Sequence, residues 1–149
     1  MKILVTGASG FIGSFIVDEA LRRDMEVWAA VRKSSSKKYL TDERINFIEL
    51  NLSSEDDLRQ QLSGHEFDYV VHAAGATKCL HKSDFFKTNT DGTKNLVHAL
   101  ITLKMPIKRF VYLSSLSIFG AIKEKSPYME IDESDIPRPN TVYGKSKLM

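Results

Sequence analysis

The sequence predicts an open, doubly wound α/β fold: a parallel sheet of strand order 3-2-1-4-5 with helices on both faces. Three observations predict it. The apolar run Ile3-Leu4-Val5 leads directly into three glycines, Gly7, Gly10 and Gly13, and then into a helical apolar pattern. Short apolar strand-like runs alternate with helical patterns along the rest of the chain. The fourth of those runs ends in the small residues Ala73-Ala74-Gly75, which leave room for a ligand beside the backbone.

The first helix is expected from about Phe11 to Arg23, with Phe11, Ile12, Phe15, Ile16, Ala20 and Leu21 as its apolar face. Each glycine before it has a physical task. Gly7 turns the chain off the strand, Gly10 lets a pyrophosphate approach the backbone, and Gly13 lets the helix pack close to the sheet. The helix start offers free N–H groups and a positive dipole end to phosphates. A glycine-rich turn without a ligand is the plain alternative, and the strand before and helix after favour the nucleotide reading. Its candidate contacts are Gly7, Ser9, Gly10, Phe11, Ile12 and Gly13.

Met25 to Val31 is the expected second strand, and Trp28 is read as core. Arg32 and Lys33 follow, then Ser34-Ser35-Ser36 and two more lysines. Position 32 lies about twenty residues past the glycine turn, where an NAD-binding domain usually holds the ribose 2′-hydroxyl with an Asp or Glu. A guanidinium there pairs with a 2′-phosphate instead, so NADP is expected over NAD.

The third strand is expected from Arg44 to Leu50, with Asn51-Leu52 closing it where an adenine would lie. Ser53, with Asp56 three residues on, reads as the cap of a helix running to about Leu62, and Gly64 suits the turn after it. The fourth strand is Phe67 to His72. Asp84 to Lys104 reads as one long helix, with Asn89 inside it and Gly92 interrupting it. Arg109 to Leu113 is the fifth strand, followed by Ser114-Ser115. Gly120 to Val142, holding Pro127, Pro137 and Pro139 among several acids, reads as a functional loop, and Tyr143 to Lys147 starts a last helix.

Composition narrows the function classes. The chain has 149 residues and a net charge of +2, one domain's worth and too little charge to argue for nucleic acid. Its single cysteine, Cys79, excludes an internal disulfide. No apolar run reaches membrane-spanning length, and the N-terminus reads as a strand rather than a signal peptide, so a cytoplasmic setting is expected. The histidines, His65, His72, His81 and His98, show no metal-ligand spacing and are read as structural or surface residues; no metal is expected.

The candidate chemistry is Ser115, Tyr143 and Lys147. Tyr143 and Lys147 are four apart, hence on one helix face. A tyrosine normally titrates near pH 10, and an adjacent ammonium stabilises the phenolate. With Ser115 orienting a substrate oxygen, the set fits proton transfer coupled to hydride transfer at a carbinol or carbonyl carbon.

Five ordered motifs carry a family resemblance: Thr6-Gly-Ala-Ser-Gly-Phe-Ile-Gly13, His72-Ala-Ala-Gly75, Asn89-Thr-Asp-Gly-Thr-Lys-Asn-Leu96, Tyr112-Leu-Ser-Ser-Leu-Ser-Ile-Phe-Gly120 and Tyr143-Gly-Lys-Ser-Lys147. Together they resemble the extended short-chain dehydrogenase/reductases, the NAD(P)-dependent epimerase/dehydratase family with its Rossmann-like cofactor domain. The glycine turn and Val31-Arg32 look most like the dihydroflavonol-reductase-like branch. The resemblance implies that Ser115, Tyr143 and Lys147 are catalytic. It implies cofactor contacts at Ala73, Ala74, Gly75, Asn89 and Tyr143, and from Lys147 to the nicotinamide ribose. Asn51 stands where the family usually has an Asp near the adenine. Family members continue into a C-terminal substrate domain, so residues 1–149 are expected to be an incomplete NAD(P)-binding domain. An NADP-dependent oxidoreductase or epimerase/dehydratase acting on a sugar nucleotide or small carbonyl compound is the expected function; an NADP-binding sensor without catalysis is the rival reading. The last helix is expected to be marginal on its own, and the open edge of the fifth strand to favour a homodimer.

Overall fold

The computed structural model describes residues 1–120 and 130–149; Pro127 of the expected loop lies outside them. The elements follow in the order β1 (Lys2–Thr6), α1 (Phe11–Arg22), β2 (Glu26–Val31), β3 (Asn46–Glu49), α2 (Glu55–Leu62), β4 (Tyr69–His72), α3 (Lys82–Phe85), a π-helical turn (Phe86–Asp91), α4 (Gly92–Thr102), β5 (Arg109–Tyr112), a 3₁₀ turn (Leu116–Ile118) and α5 (Val142–Leu148). The five strands form one parallel sheet of order β3-β2-β1-β4-β5.

Alternation along β1 divides the core between two faces. Ile3 and Val5 pack with Val17, Ala20 and Leu21 of α1 and with Val27 and Ala29 of β2. Leu4 points the other way, toward Leu58 and Leu62 of α2, Val70 of β4 and Leu96, Ala99 and Leu100 of α4. A central strand buried on both faces has no polar side, which is why Ile3-Leu4-Val5 reads as an unbroken apolar run. Trp28 is half-buried and packs against the second cluster, as a core residue.

Three local expectations are corrected. Phe11, Ile12 and Phe15 are exposed, whereas Gly13, Ser14, Val17, Ala20 and Leu21 form the buried face of α1. The first turn of this helix lies too close to the glycine turn for large side chains, so small residues face inward. The cap of α2 is Ser54 rather than Ser53: its side chain accepts from the Asp57 amide at 3.2 Å. The long helix expected from Asp84 runs unbroken from Lys82 to Thr102, but with a π turn inside it rather than α geometry throughout, and Gly92 opens α4 beside Leu52, whose Cβ would lie 3.5 Å from a side chain added there.

The terminal helix α5, marginal by length alone, is formed and packed. Thr141 caps it, with Oγ1 accepting from the Gly144 amide at 2.9 Å. A Cβ at Gly144 would sit 2.2 Å from the Ser117 carbonyl oxygen, so only glycine lets α5 lie this close to the 3₁₀ turn. Among the described residues, β5 has β4 as its one partner strand, and Val111 on it is 45% exposed. No helix among them is long and apolar enough to cross a membrane.

Candidate functional site

A cleft of about 600 Å³ opens at the C-terminal ends of β1, β2 and β4. This is the crevice where an open parallel sheet takes its ligands, because the strand order reverses on either side of β1. Of the expected contacts, Gly7, Ser9, Gly10, Arg32, Asn51, Leu52, Ala73, Ala74 and Gly75 line it. Phe11, Ile12, Gly13, Lys33, Asn89, Tyr143 and Lys147 are not among its lining residues. Thr6, Ser35, Ser53, Ala76, Lys78, Lys87 and Thr88 are, and sequence reasoning missed them. Three of the lining residues, Arg32, Lys78 and Lys87, are cationic, and none is a carboxylate.

The glycine turn is built by contact. Gly7 has φ +66°, and a Cβ on it would lie 2.6 Å from the Ala74 nitrogen. A Cβ on Gly13 would lie 2.1 Å from the Gly7 carbonyl oxygen. The turn is therefore pressed between the end of β4 and the start of α1. Gly10 N donates to Gly7 O at 2.9 Å and occupies the N-cap of α1 without a side-chain cap; the first turn carries no acid. The start of α2 is the opposite case, with Ser54 as cap and Glu55, Asp56 and Asp57 in its first turn. The orphan N–H groups and dipole of α2 are answered by its own sequence, whereas those of α1 are left for an anion.

At the adenosine end, Arg32 is exposed, and its backbone N–H donates to Ser35 Oγ at 3.0 Å. Asn51 is engaged in its own loop. Its Nδ2 donates to Asp57 Oδ2 at 2.6 Å, and its Oδ1 accepts from Ser53 Oγ at 2.5 Å.

Of the candidate chemistry, Lys147 is the member placed beside Gly75. A Cβ added there would lie 3.2 Å from Asn89 Oδ1 and 3.5 Å from Lys147 Nζ, so the ammonium reaches the back of the cleft floor. Lys147 is 6% exposed, and its Nζ stands 4.2 Å from the centre of the Tyr112 ring. Burial pushes its pKa down, while the neighbouring Tyr143 pulls it up. Tyr143 is half-buried and meets Phe85 edge-on at 6.2 Å between ring centres. Ser115 caps the 3₁₀ turn, its Oγ accepting from the Ser117 amide at 3.1 Å. The contact of Gly144 with Ser117 is what brings that turn against α5.

Asn89 is buried and serves as a joint rather than a surface contact. Its Oδ1 accepts from Ala76 N at 2.7 Å; its Nδ2 donates to Ala76 O at 3.0 Å and to Ser146 Oγ at 2.9 Å. Thr90 Oγ1 adds a bond to Ser146 O at 2.9 Å. These bonds fix the loop after β4 to the π turn and the π turn to α5. His72 is fully buried.

Known proteins share this fold. A UDP-glucose 4-epimerase of Klebsiella pneumoniae is 32% identical over 142 residues, covering 87% of this chain and 99% of that protein. The structure of the UDP-Glc/GlcNAc 4-epimerase of Campylobacter jejuni superposes with a TM-score of 0.86 at 26% identity, over 99% of this chain and 46% of that one. The UDP-glucose 4-epimerase of Thermus thermophilus, in complex with NAD, gives 0.82 at 26% identity, over 99% and 47%. The chain spans less than half the length of several curated relatives it matches. The sequence model of the NAD dependent epimerase/dehydratase family matches residues 3–149, and the chain belongs to that family.

Proposed function

We propose that this chain is the cofactor-binding part of an NADP-using oxidoreductase or epimerase/dehydratase, with Ser115, Tyr143 and Lys147 as its reacting set and a sugar nucleotide or small carbonyl compound as substrate. The observation that carries the reading is the cleft itself: an uncapped helix start over a glycine turn, lined by cations and no carboxylate, with Lys147 Nζ behind Gly75 at its far end.

The residues present fit a dinucleotide. Gly7, Ser9 and Gly10 with the start of α1 would hold the pyrophosphate, Ala73 to Ala76 would floor its centre, and Leu50 to Ser53 with Arg32 and Ser35 would take the adenosine. The nicotinamide supplies the hydride chemistry when bound. Lys147 would orient the ribose, Tyr143 would exchange a proton with the substrate, and Ser115 would hold the substrate oxygen. The NAD bound by relatives of the same fold supports the dinucleotide class and, of the two cofactors, favours NAD; the NADP preference rests on this chain's own residues. Arg32 with Lys33 beside it supports NADP. Calorimetric titration of the 149-residue chain with NADP and NAD tests the cofactor: tighter NAD binding overturns the preference, and no binding of either overturns the cleft assignment. Turnover assayed on a protein that includes a substrate domain separates enzyme from sensor. Dimerisation through the β5 edge is read from solution mass.

A further inference from the structure

A row of buried hydrogen bonds runs across the sheet beneath the cleft, and its proton positions follow from counting. Thr93 has one hydroxyl proton, and Oγ1 donates it to Asn89 O at 2.6 Å. Toward His72 Nε2, 2.9 Å away, Thr93 Oγ1 then acts as acceptor, so Nε2 carries a proton. On the other side, Nδ1 lies 2.6 Å from Thr6 Oγ1, and that hydroxyl accepts from the Ala74 amide at 3.3 Å. With Nδ1 bare, the Thr6 proton has an acceptor. With Nδ1 protonated, it would have none in a site where Thr6 is 1% and His72 0% exposed.

We infer that His72 is a positioning residue, neutral with its one ring proton on Nε2, that ties the glycine-turn strand to the π turn and, through Asn89 and Ser146, to the helix bearing Tyr143 and Lys147. The inference rests on the cofactor reading of the cleft and deepens it. At one end of the row, Thr6 precedes Gly7 and holds Ala74, two lining positions. At the other, Asn89 Nδ2 donates to Ser146 Oγ, which donates to Tyr143 O at 2.8 Å. The ring is packed from every side. Thr6 faces it from β1 and Thr93 from α4, Tyr112 stacks on it at 5.8 Å and Phe110 lies at 6.2 Å from β5, and the Lys147 charge acts from α5. Burial first, and that charge second, push the imidazole pKa down to about 4, which agrees with the proton count.

The test has two arms on the 149-residue chain. Long-range ¹H–¹⁵N correlation of the His72 ring is expected to show the Nε2–H form from pH 6 to 9; an Nδ1–H form or an imidazolium at pH 7 overturns the inference. Thr93→Val keeps the shape and removes the hydroxyl. It is expected to shift the Ser146 and Lys147 amide signals and to weaken NADP about tenfold, the size of one buried donor left unpaired. Thr93→Ser should restore both. Unchanged α5 signals and affinity in Thr93→Val overturn the coupling. Failure of the unmutated chain to bind either cofactor would sink the cleft reading instead, and the ring tautomer and the α5 signals would still decide the role of His72.

Discussion

Lys147 Nζ lies 4.2 Å from the centre of the Tyr112 ring, and the side chain is almost wholly buried. A ring face compensates an ammonium only in part for lost water. The pKa is accordingly lowered, with burial as the larger cause. A lysine held below its unfolded pKa costs stability wherever it is charged; that cost begins to fall as the pH rises past the folded pKa and is gone only above the unfolded one. Such a buried charge costs the fold stability, and on the proposed reading it serves the cofactor.

Lys147→Met is therefore expected to leave the melting temperature of the unliganded chain at pH 7 unchanged or higher. NADP affinity should fall about tenfold or more, through loss of a charge-assisted hydrogen bond of roughly 1.5–3 kcal/mol. A lower melting temperature together with unchanged affinity would show that the lysine is structural. Thermal unfolding and calorimetry read the two sides separately.

His72 sets the acid limit. Its folded pKa is about 4, below an ordinary 6.5. The unfolded chain thus takes up a proton first as pH falls, and the folded state loses ground between about pH 6.5 and pH 4. At 1.36 kcal/mol per unit, the loss is on the order of 3 kcal/mol at the acid end. Urea unfolding at pH 7, 5.5 and 4.5 should show this decline, and His72→Phe should flatten it. An unchanged slope in the variant would assign the decline to other groups.

The glycines separate close approach from backbone strain. A Cβ at Gly13 would meet the Gly7 carbonyl at 2.1 Å, whereas at Gly64, φ +79°, nothing lies within 4 Å. Gly13→Ala is expected to cost more than about 3 kcal/mol or to prevent folding, since both neighbours are backbone. Gly64→Ala should cost about 1 kcal/mol. Equal losses measured by denaturant unfolding would contradict the packing argument.

The sheet order, the five strands and the glycine turn were legible because each rests on a short-range signal. A central strand buried on both faces gives an apolar run, and a turn pressed against a helix leaves only glycine. The inward face of α1 was not legible. Its period was read from Phe11, Ile12 and Phe15, which are large, while the sheet demanded Gly13 and Ser14, which are small. The cap of α2 slipped by one residue because Ser53 and Ser54 are equally good cap residues, and Asn51 engages the first of them. Asn89 was expected at the cofactor; it is a buried joint, visible only once the π turn places its amide between Ala76 and Ser146. Lys78 and Lys87 carry no local pattern, and the folding of the loop after β4 and the π turn alone brings them to the cleft.

The proposed preference for NADP rests on Arg32. It follows the end of β2, is exposed, and lines the cleft beside Ser35, where no carboxylate stands to hold a 2′-hydroxyl or repel a 2′-phosphate. Its backbone is already fixed by Ser35, since Arg32 N donates to Ser35 Oγ and Ser35 N donates to Arg32 O at 2.8 Å. The turn is thus organised by its backbone and Ser35, and on the proposed reading the guanidinium serves the 2′-phosphate. Arg32→Asp should accordingly fold as well as the parent, because it removes no contact of the unliganded chain's core. It should weaken NADP by roughly tenfold to a hundredfold, from loss of a charge-assisted pair and gain of a like charge, and leave NAD equal or tighter. Raising the salt concentration should narrow the NADP difference and weaken NADP more than NAD, because the 2′-phosphate adds an exposed ion pair to those the pyrophosphate of either cofactor can make with Lys78 and Lys87. Parallel titrations of both cofactors at low and high salt measure all four quantities. NADP affinity unaffected by Arg32→Asp would remove this residue from cofactor selection.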